Sequence, residues 1–438
     1  METDKTTLAD LSILDTGDDF SVFSKLNLCR TVGGRDKMYE NFTNPLNNIE
    51  AITGIQQTLQ TILKNLQYWP DEISNGSVLM IGKFYYAAID DIPASPSVIS
   101  AYGYKYFHKA DFSLVEYSVG HAFDFIKGMQ KLVKHFITDT TPAPLLNILT
   151  AVRDMMQPEQ LAIIEKKNKA GDLTIVDQLQ LGRFLKHYYK RNMLQLLDMY
   201  SQLDAWYGMA MSVKQFGLSF PEFVTDNEPM LEAKGLYHIL LSTPVDYDIR
   251  LDPARNFLFL TGANMAGKST FIKSVGTAVF LAHIGMGVPA QHMQLSLFDG
   301  LLSNINVADN LHKGESYFYN EVQRIKSTVT KISDGRKWLI LIDELFKGTN
   351  IEDAMKCSST VIEGFLKIHN SLFILSTHLY EIGDALKKYS NISFNYFETT
   401  VTNDQLLFSY QLKNGISNDR LGYLILKNEG VVEMLEKL

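Results

Sequence analysis

The sequence predicts a mixed fold, in which a helical region is followed by an α/β domain. From about residue 21 to 235 apolar residues recur at helical spacing, and beyond about 236 short apolar runs alternate with helical stretches. The chain has 438 residues, 46% of them apolar and 21% charged, which is the composition of folded protein and exceeds one hydrophobic core. We therefore expect a flexible segment over 1–20, a helical region over 21–235 and an α/β domain over 236–438.

The first 20 residues are polar and acidic, which is typical either of a poorly ordered end or of a short docking arm. They contain neither the basic start nor the apolar stretch of a signal peptide, and the chain has no run of about 18 apolar residues. The two cysteines, Cys29 and Cys357, have no metal-ligand spacing, so we interpret them as reduced structural thiols. These features predict a soluble, cytoplasmic protein without a membrane partner.

The clearest helical pattern in the middle of the chain is a stripe at three- and four-residue spacing. It consists of Met193, Leu196, Leu197, Tyr200, Leu203, Tyr207, Ala210 and Met211. Such a stripe indicates core or helix-pair packing on one face of a long helix. Residues 93–96 and 169–172 interrupt the helical region, and the second interruption could be the tip of a helical hairpin.

The last two hundred residues contain three short apolar runs, at 257–260, 338–342 and 372–375. Helical stretches separate them. Runs that are apolar at every position, rather than at alternate positions, are typical of strands buried on both faces of a parallel sheet. The alternation therefore predicts an α/β sheet covered by helices.

Residues 262–269 read Gly-Ala-Asn-Met-Ala-Gly-Lys-Ser and match the pattern GxxxxGK[ST] in full. The pattern follows the first apolar run and precedes a helical run, which is the strand, loop and helix context that it requires. Gly262 and Gly267 allow backbone N–H groups to turn inward around an anion, and Lys268 can reach the β- and γ-phosphates. Ser269 is placed to ligate Mg²⁺, so the sequence predicts ATP and magnesium as ligands.

The other two apolar runs also end in polar residues. The run 338–342 leads into Asp343 and Glu344, an acidic pair of the kind that holds Mg²⁺ and the attacking water. We expect Asp343 to be the magnesium partner and Glu344 to act as general base or to orient water. The run 372–375 leads into Ser-Thr-His378, and His378 can donate to a terminal phosphate oxygen. The predicted catalytic residues are therefore Glu344, Lys268 and His378.

These motifs resemble those of the MutS family, the DNA mismatch-repair ATPases and their relatives. Residues 261–270 resemble the family's TGPNMxGKST, with Ala263 at the usual proline position, and 315–321 resemble its STFxxEM. Residues 343–349 resemble its DExGxGT and 376–378 its STH. The resemblance implies a P-loop ATPase domain of the ABC type. It also implies a set of nucleotide-binding residues, namely Gly262, Ala263, Asn264, Met265, Ala266, Gly267, Lys268, Ser269, Thr270 and Ser316.

The resemblance further implies a homodimer, because two ATPase domains face each other in this family. The segment that holds Ser316 in one subunit closes over the nucleotide of the other, and Asn264 lies near the shared surface. Upstream, residues 29–35, 44–46 and 49–52 resemble the start of the family's core domain. Residues 196–203, with 221–223, resemble the lever helix that returns toward the ATPase. ATP would therefore bind at a composite dimer interface.

The chain also departs from the family pattern in its domain content and at the adenine contact. The core-like motif begins near residue 23, so we expect no mismatch-recognition or connector domain and no direct mismatch reading. The interval before the lever-like helix is short, so we expect a clamp that is reduced or absent. Where family members present an aromatic residue for adenine stacking, the chain reads Pro244-Val-Asp-Tyr-Asp248, which leaves Tyr247 as the candidate.

Two functions remain open for the helical region. The stretch 183–191, with Lys166, Lys167 and Lys169 nearby in sequence, interleaves basic and aromatic residues, which suits DNA contact as well as a solvated helix face. A net charge of -8 and a pI of about 5.7 argue against a strong sequence-independent grip on DNA but allow a local basic surface. We predict a MutS-like ATPase that couples ATP hydrolysis to movement of helical arms on duplex or branched DNA. The alternative is an ATP-gated protein-interaction module of MutS descent that does not itself bind DNA.

Overall fold

The fold comes from a computed structural model, which describes residues 1–14, 20–89, 91–306, 317–402, 405–417 and 430–436. The chain divides into two compact units. The first, which we call the sheet unit, comprises Met1–Lys25, Asn44–Ile52 and Phe216–Leu438. The second, the helical unit, comprises Leu26–Thr43 and Thr53–Gln215. The mixed helical and α/β fold class predicted from the sequence is confirmed.

The helices of the described residues carry labels in chain order. They are α1 (Lys5–Asp10), α2 (Val22–Leu26), α3 (Val32–Thr43), α4 (Ile49–Lys64), α5 (Asn75–Tyr86), α6 (Val98–Phe107), α7 (Lys109–Phe136), α8 (Ala143–Met155), α9 (Ala162–Lys166), α10 (Ile175–Arg183), α11 (Lys190–Phe216), α12 (Lys268–His283), α13 (Tyr317–Ile332), α14 (Ile351–Phe365), α15 (Glu381–Leu386) and α16 (Val431–Glu436). A π-helical turn, Phe184–Tyr188, separates α10 from α11. None of these helices is long and apolar enough to cross a membrane.

The strands form two sheets in the sheet unit. They are β1 (Glu222–Val224), β2 (Leu231–Leu236), β3 (Tyr247–Leu251), β4 (Phe257–Thr261), β5 (His292–Ser296), β6 (Gly300–Asn304), β7 (Trp338–Asp343), β8 (Leu372–Ser376), β9 (Ile392–Thr402) and β10 (Gln405–Asn414). The larger sheet has the order β10-β9-β4-β8-β7-β6 and the smaller one β1-β5-β2-β3. The predicted boundary between 235 and 236 therefore falls inside β2, which pairs with β3 and β5 of the same unit.

The larger sheet is parallel except at its β9–β10 edge. Every residue of β4, β7 and β8 is buried, because these strands lie inside the sheet and helices cover its faces. The three apolar runs of the sequence correspond to these three strands. Since parallel strands end at the same edge, their polar ends come together there.

In the helical unit, the predicted stripe lies on α11. Its residues Met193, Leu196, Tyr200, Leu203, Tyr207 and Ala210 are buried. The predicted interruption at 169–172 contains a single 3-10 turn, Ala170–Asp172, between α9 and α10. Packing on one face of a long helix is thus confirmed for the first half of the stripe. From 203 to 210 every residue is buried, whichever side of the helix it lies on.

A buried carboxylate joins α11 to the loop before α3. Asp204 is fully buried and accepts hydrogen bonds from the backbone N–H groups of Arg30 and Thr31, at 3.0 and 2.8 Å, and from the Thr31 hydroxyl, at 2.7 Å. A Cβ atom on Gly34 would lie 2.1 Å from the Asp204 carboxylate, so only glycine fits there. Burial raises the pKa of Asp204, and these hydrogen bonds oppose the rise.

Residues 1–14 are docked in the sheet unit, which favours the docking-arm alternative over a flexible end. The Glu2 backbone pairs with the start of β6, and the Asp10 side chain accepts from the Ser303 hydroxyl at 2.6 Å. Asp10 also accepts from the backbone N–H groups of Ile305 and Asn306, both at 3.0 Å. The arm is folded because its acidic side chains have buried partners that composition does not reveal. Residues 15–19 lie outside the described residues.

Candidate nucleotide-binding site

The loop between β4 and α12 requires glycine at two positions. Gly262 and Gly267 have φ values of 140° and 107°, a region that side chains with a Cβ atom rarely adopt. A Cβ atom on Gly262 would also lie 3.2 Å from the backbone oxygen of Phe397. Met265, at the tip, has a φ of 68° and a side chain that is 73% exposed. The loop is therefore a tight turn that ends directly in the first turn of α12.

Lys268 is held inside this loop. Its Nζ donates to the backbone oxygens of Gly262, at 2.8 Å, and Ala263, at 3.0 Å. Burial lowers the pKa of Lys268, whereas the nearby charges of Glu344 and Asp343 raise it. An ammonium group has three N–H donors, so two are used within the loop while the charge stays close to two carboxylates.

Asp343 joins the three strand ends into one cluster. The hydroxyl of Ser269, in the first turn of α12, donates to one carboxylate oxygen of Asp343, and the hydroxyl of Ser376 donates to the other. The register of the sheet explains this, because Asp343 of β7 pairs with Ser376 of β8, which also pairs with Leu260 of β4. Residues far apart in the sequence thus meet at one edge.

Glu344 follows β7 in a strained conformation. Its φ is 64°, in the left-handed region, and its backbone N–H donates to the backbone oxygen of Ser376 at 2.9 Å. Its carboxylate lies 3.7 Å from His378 Nδ1 and 3.1 Å from Lys347 Nζ. The neighbouring His378, and then Lys347, lower the pKa of Glu344 to about 2, although burial acts in the opposite direction.

A cavity of about 580 Å³ opens beside the loop. It is lined by Leu241, Thr243, Val245, Tyr247, Asn264, Met265, Gly267, Lys268, Ser269, Thr270, Glu344 and Tyr410. Of the predicted nucleotide-binding residues, Gly262, Ala263 and Ala266 are not among these, and both alanines are buried. The predicted Ser316 lies outside the described residues.

Tyr410 lines this cavity although no motif indicated it. It has a φ of 54°, lies where the pairing of β10 with β9 shifts register, and is 39% exposed. Tyr247, the sequence candidate, also lines the cavity, but it is buried with its ring edge-on to Phe271 and Phe397. The register shift in β10 that places Tyr410 beside the loop leaves no signal in the sequence.

The basic stretch 183–191 in the helical unit is divided by the π-helical turn. Arg183 donates to Asp91 at 2.8 Å, and Lys186 donates to the backbone oxygen of Ala87 at 2.9 Å, so both cations have partners within the unit. Tyr188, Lys190 and Arg191 are exposed and line an open groove of about 840 Å³. Only part of the predicted basic patch is therefore available at the surface.

Comparison with known proteins supports the MutS family, a family of mismatch-repair-related ATPases. The family model described as MutS domain V matches residues 258–435 of this chain, which include β4 from its second residue, the loop and the strand ends described above. The matched region therefore contains most of the residues of the candidate site.

Named relatives give the same indication. The DNA mismatch repair protein MutS of Petrotoga mobilis is 26% identical over 294 residues, which is 65% of this chain and 35% of the relative. That of Pseudothermotoga lettingae is 28% identical over 231 residues, 52% of this chain and 28% of the relative. The DNA mismatch repair protein MSH3 of Candida glabrata is 28% identical over 311 residues, 69% of this chain and 29% of the relative. The chain spans about a third of the length of these curated relatives.

Proposed function

We propose that this chain binds ATP with Mg²⁺ beside the loop 262–267 and hydrolyses it. The observation that carries the proposal is the cluster at the sheet edge, where Lys268, the Ser269–Asp343 pair and Glu344 come from separate parts of the chain. A buried lysine next to backbone N–H groups at a helix start suits the β- and γ-phosphates of a nucleotide. The MutS family match is consistent with this assignment.

The residues at the cluster fit a magnesium ion. A serine hydroxyl and an aspartate carboxylate are hard oxygen ligands of the kind Mg²⁺ prefers, and phosphate oxygens and water complete its shell in nucleotide sites. The Ser269 hydroxyl donates to Asp343, which leaves its oxygen lone pairs for a metal. Within the described residues no group of three or more His, Cys, Asp or Glu side chains could hold a metal ion. Binding of Mg²⁺ would therefore depend on the nucleotide, and the ion would neutralise phosphate charge.

The adenine contact falls to Tyr410 rather than Tyr247 in this proposal. Tyr410 is partly exposed on the cavity, and its ring lies next to Gly267, where a Cβ atom would be 3.4 Å from Tyr410 Cδ1. Tyr247 is already packed by two aromatic rings. A flat purine stacks most readily on the ring that still has an exposed face.

Glu344 orients the attacking water in this proposal. Its pKa of about 2 makes it a weak base at neutral pH, where it accepts hydrogen bonds as a carboxylate. His378, 3.7 Å away, lies on the same edge and can donate to a terminal phosphate oxygen. Of the two roles predicted for Glu344, water orientation is therefore favoured over full proton removal.

Two substitutions test ATP hydrolysis. Lys268→Ala should raise the Kd for ATP about 10- to 100-fold, because a charge-assisted hydrogen bond is lost. Glu344→Gln should bind ATP as the parent does but lower kcat about 100-fold or more. The matched control is Glu352→Gln, an exposed glutamate in the first turn of α14. Parent-like hydrolysis by Glu344→Gln would refute the role of Glu344, and an inactive parent would refute the function.

We further propose that the active species is a homodimer whose nucleotide site is completed by Ser316 of the partner subunit. Support comes from the family match and from Asn264 on the rim of the cavity. Mixing Lys268→Ala with Ser316→Ala chains tests this, because a mixed dimer regains one intact site. We expect each variant to be inactive alone and the mixture to recover about a quarter of the parent rate under random pairing. A mixture that stays inactive would contradict a shared site.

We propose that DNA, duplex or branched and without sequence specificity, contacts the groove at Tyr188, Lys190 and Arg191. Exposed rings and cations beside each other suit stacking and phosphate contact. The test is the ATPase rate with and without duplex, mismatched and branched DNA at low and moderate salt. Stimulation that Lys190→Ala/Arg191→Ala abolishes, and that Lys387→Ala/Lys388→Ala in the sheet unit leaves intact, would support this function.

An ATP-gated protein-interaction module is the second candidate function. The observation that favours it is the engagement of Arg183 and Lys186 with partners inside the helical unit, in a chain of net charge -8. An ATPase rate indifferent to every DNA form, together with a protein partner whose binding depends on ATP and resists nuclease treatment, would select it.

A further inference from the structure

The loop that carries Glu344 contains two strained residues close together. Glu344 and Phe346 have φ values of 64° and 58°, and the left-handed region is unfavourable for any residue with a Cβ atom, most of all for a bulky one. Such conformations persist only where the surroundings impose them. The contacts of this loop should therefore include a group whose role is to hold it.

In the part of the chain that the structure describes, helix α13 provides such a group. The Phe318 ring packs against the Phe346 ring, with their centroids 5.7 Å apart. One turn later, the Glu321 side chain reaches the backbone of the loop, where its Oε1 accepts from the Lys347 N–H at 3.3 Å.

We propose that Glu321 is a positioning residue, which fixes the loop 344–348 through the backbone N–H of Lys347 and so directs Glu344 at the attacking water. The inference rests on the proposed ATPase function. Glu321 itself is not among the residues that line the cavity, and it acts through Glu344. Its burial, at 1% exposure, excludes a surface role for the carboxylate.

The environment of Glu321 explains why an acceptor oxygen is needed there. The Lys347 N–H of the loop is paired with the Glu321 side chain at 3.3 Å, and a buried N–H group that loses its acceptor is costly. Burial raises the pKa of Glu321, and the backbone N–H groups of the loop lower it only in part. Arg324, one turn further along α13, donates to the Asp4 carboxylate at 2.7 Å and to the backbone oxygen of Ser303 at 2.6 Å. These hydrogen bonds hold α13 in place.

The experiment is a double-mutant cycle in single-turnover ATP hydrolysis. Glu321→Ala should lower the hydrolysis rate of the parent about tenfold or more, while the KM for ATP changes less than about threefold. In the Glu344→Gln background the same substitution should lower the rate little, because the group that it positions is already lost. Glu321→Gln keeps an acceptor oxygen and should recover most of the rate.

Controls separate positioning from general destabilisation. Ile332→Ala, at the buried far end of α13, should lower the melting temperature without changing the rate of the folded protein. If Glu321→Ala does not fold, Glu321→Asp shortens the reach with less loss of volume and should lower kcat at constant KM.

An equal loss in both backgrounds, or a parent-like rate for Glu321→Ala, would overturn the inference while the ATPase function stood. An inactive parent would instead remove the function on which it rests.

Discussion

Replacing Asp10 by alanine should destabilise the sheet unit strongly, although Asp10 lies in a segment whose composition suggests disorder. The carboxylate is 2% exposed and accepts three hydrogen bonds, from the Ser303 hydroxyl and from the N–H groups of Ile305 and Asn306. Each donor left buried and unpaired costs about 1–3 kcal/mol. We therefore expect Asp10→Ala to lower the free energy of unfolding by about 3–5 kcal/mol, a large part of the roughly 5–15 kcal/mol of a typical domain.

Hydrogen exchange measured by mass spectrometry resolves this effect locally. A loss of about 3 kcal/mol corresponds to a fall of about a hundredfold in the protection of β6 and α13 amides. Asp10→Asn keeps one acceptor oxygen, so its free energy of unfolding should fall by only about 1–3 kcal/mol. Thr6→Ala, at an exposed position of α1, is the matched control and should change the free energy by less than about 0.5 kcal/mol.

The result that would refute this reasoning is protection of β6 in Asp10→Ala equal to that in Thr6→Ala. The Asp10 hydrogen bonds would then be readily replaced by water, and the docked arm would contribute little to the sheet unit. Peptides from α7, in the helical unit, provide an internal reference for the exchange conditions.

Three other predictions concern separate parts of the chain. Asp204→Ala should lower the free energy of unfolding in urea by about 3–5 kcal/mol, because three donors lose their acceptor. A loss of stability no larger than that caused by Asp198→Ala, at an exposed position, would contradict this. Tyr410→Ala should raise the KM for ATP about 2- to 12-fold at constant kcat, with Tyr410→Phe like the parent; an unchanged KM would contradict adenine stacking. The pKa of Glu344 is lowered from 4.5 to about 2, so its ion-pair stabilisation is present above pH 4.5 and lost from 4.5 to 2. The unfolding free-energy difference between the parent and Glu344→Gln should therefore fall as the pH is lowered from 4.5 to 2, and a difference that does not change over this interval would contradict the lowered pKa.

The strands of the larger sheet could be predicted because their signal is local. A strand buried on both faces is apolar at every position, as β4, β7 and β8 are, and the glycine pattern after β4 is a requirement of one tight loop. Each of these features is contained in about ten consecutive residues. The sequence therefore indicated which residues end the strands, although not that β8 lies between β4 and β7 and brings Ser376 to Asp343.

The features that the sequence did not reveal depend on partners far along the chain. Asp10 and Ser303 are 293 positions apart, and composition alone treats an aspartate near a terminus as solvated. Arg183 and Asp91 are 92 positions apart, so the basic patch looked continuous in the sequence although some of its charges are already paired. The exposure of these acidic and basic residues was predicted wrongly for the same reason. Whether a charged side chain is buried depends on its partner in the fold and not on its neighbours in the chain.

Phe346 has a backbone conformation that its residue type disfavours, and this conflict is informative about the site. It stands where the DExGxGT pattern has glycine, and it adopts the left-handed conformation that glycine adopts without cost. A sequence in which this position is phenylalanine must hold the loop by other means, and the Phe318 ring and the Glu321 carboxylate supply them from α13. Local choices that conflict with backbone geometry are expected chiefly at functional sites. The departure from the family pattern therefore points to α13 as the element on which the position of Glu344 depends.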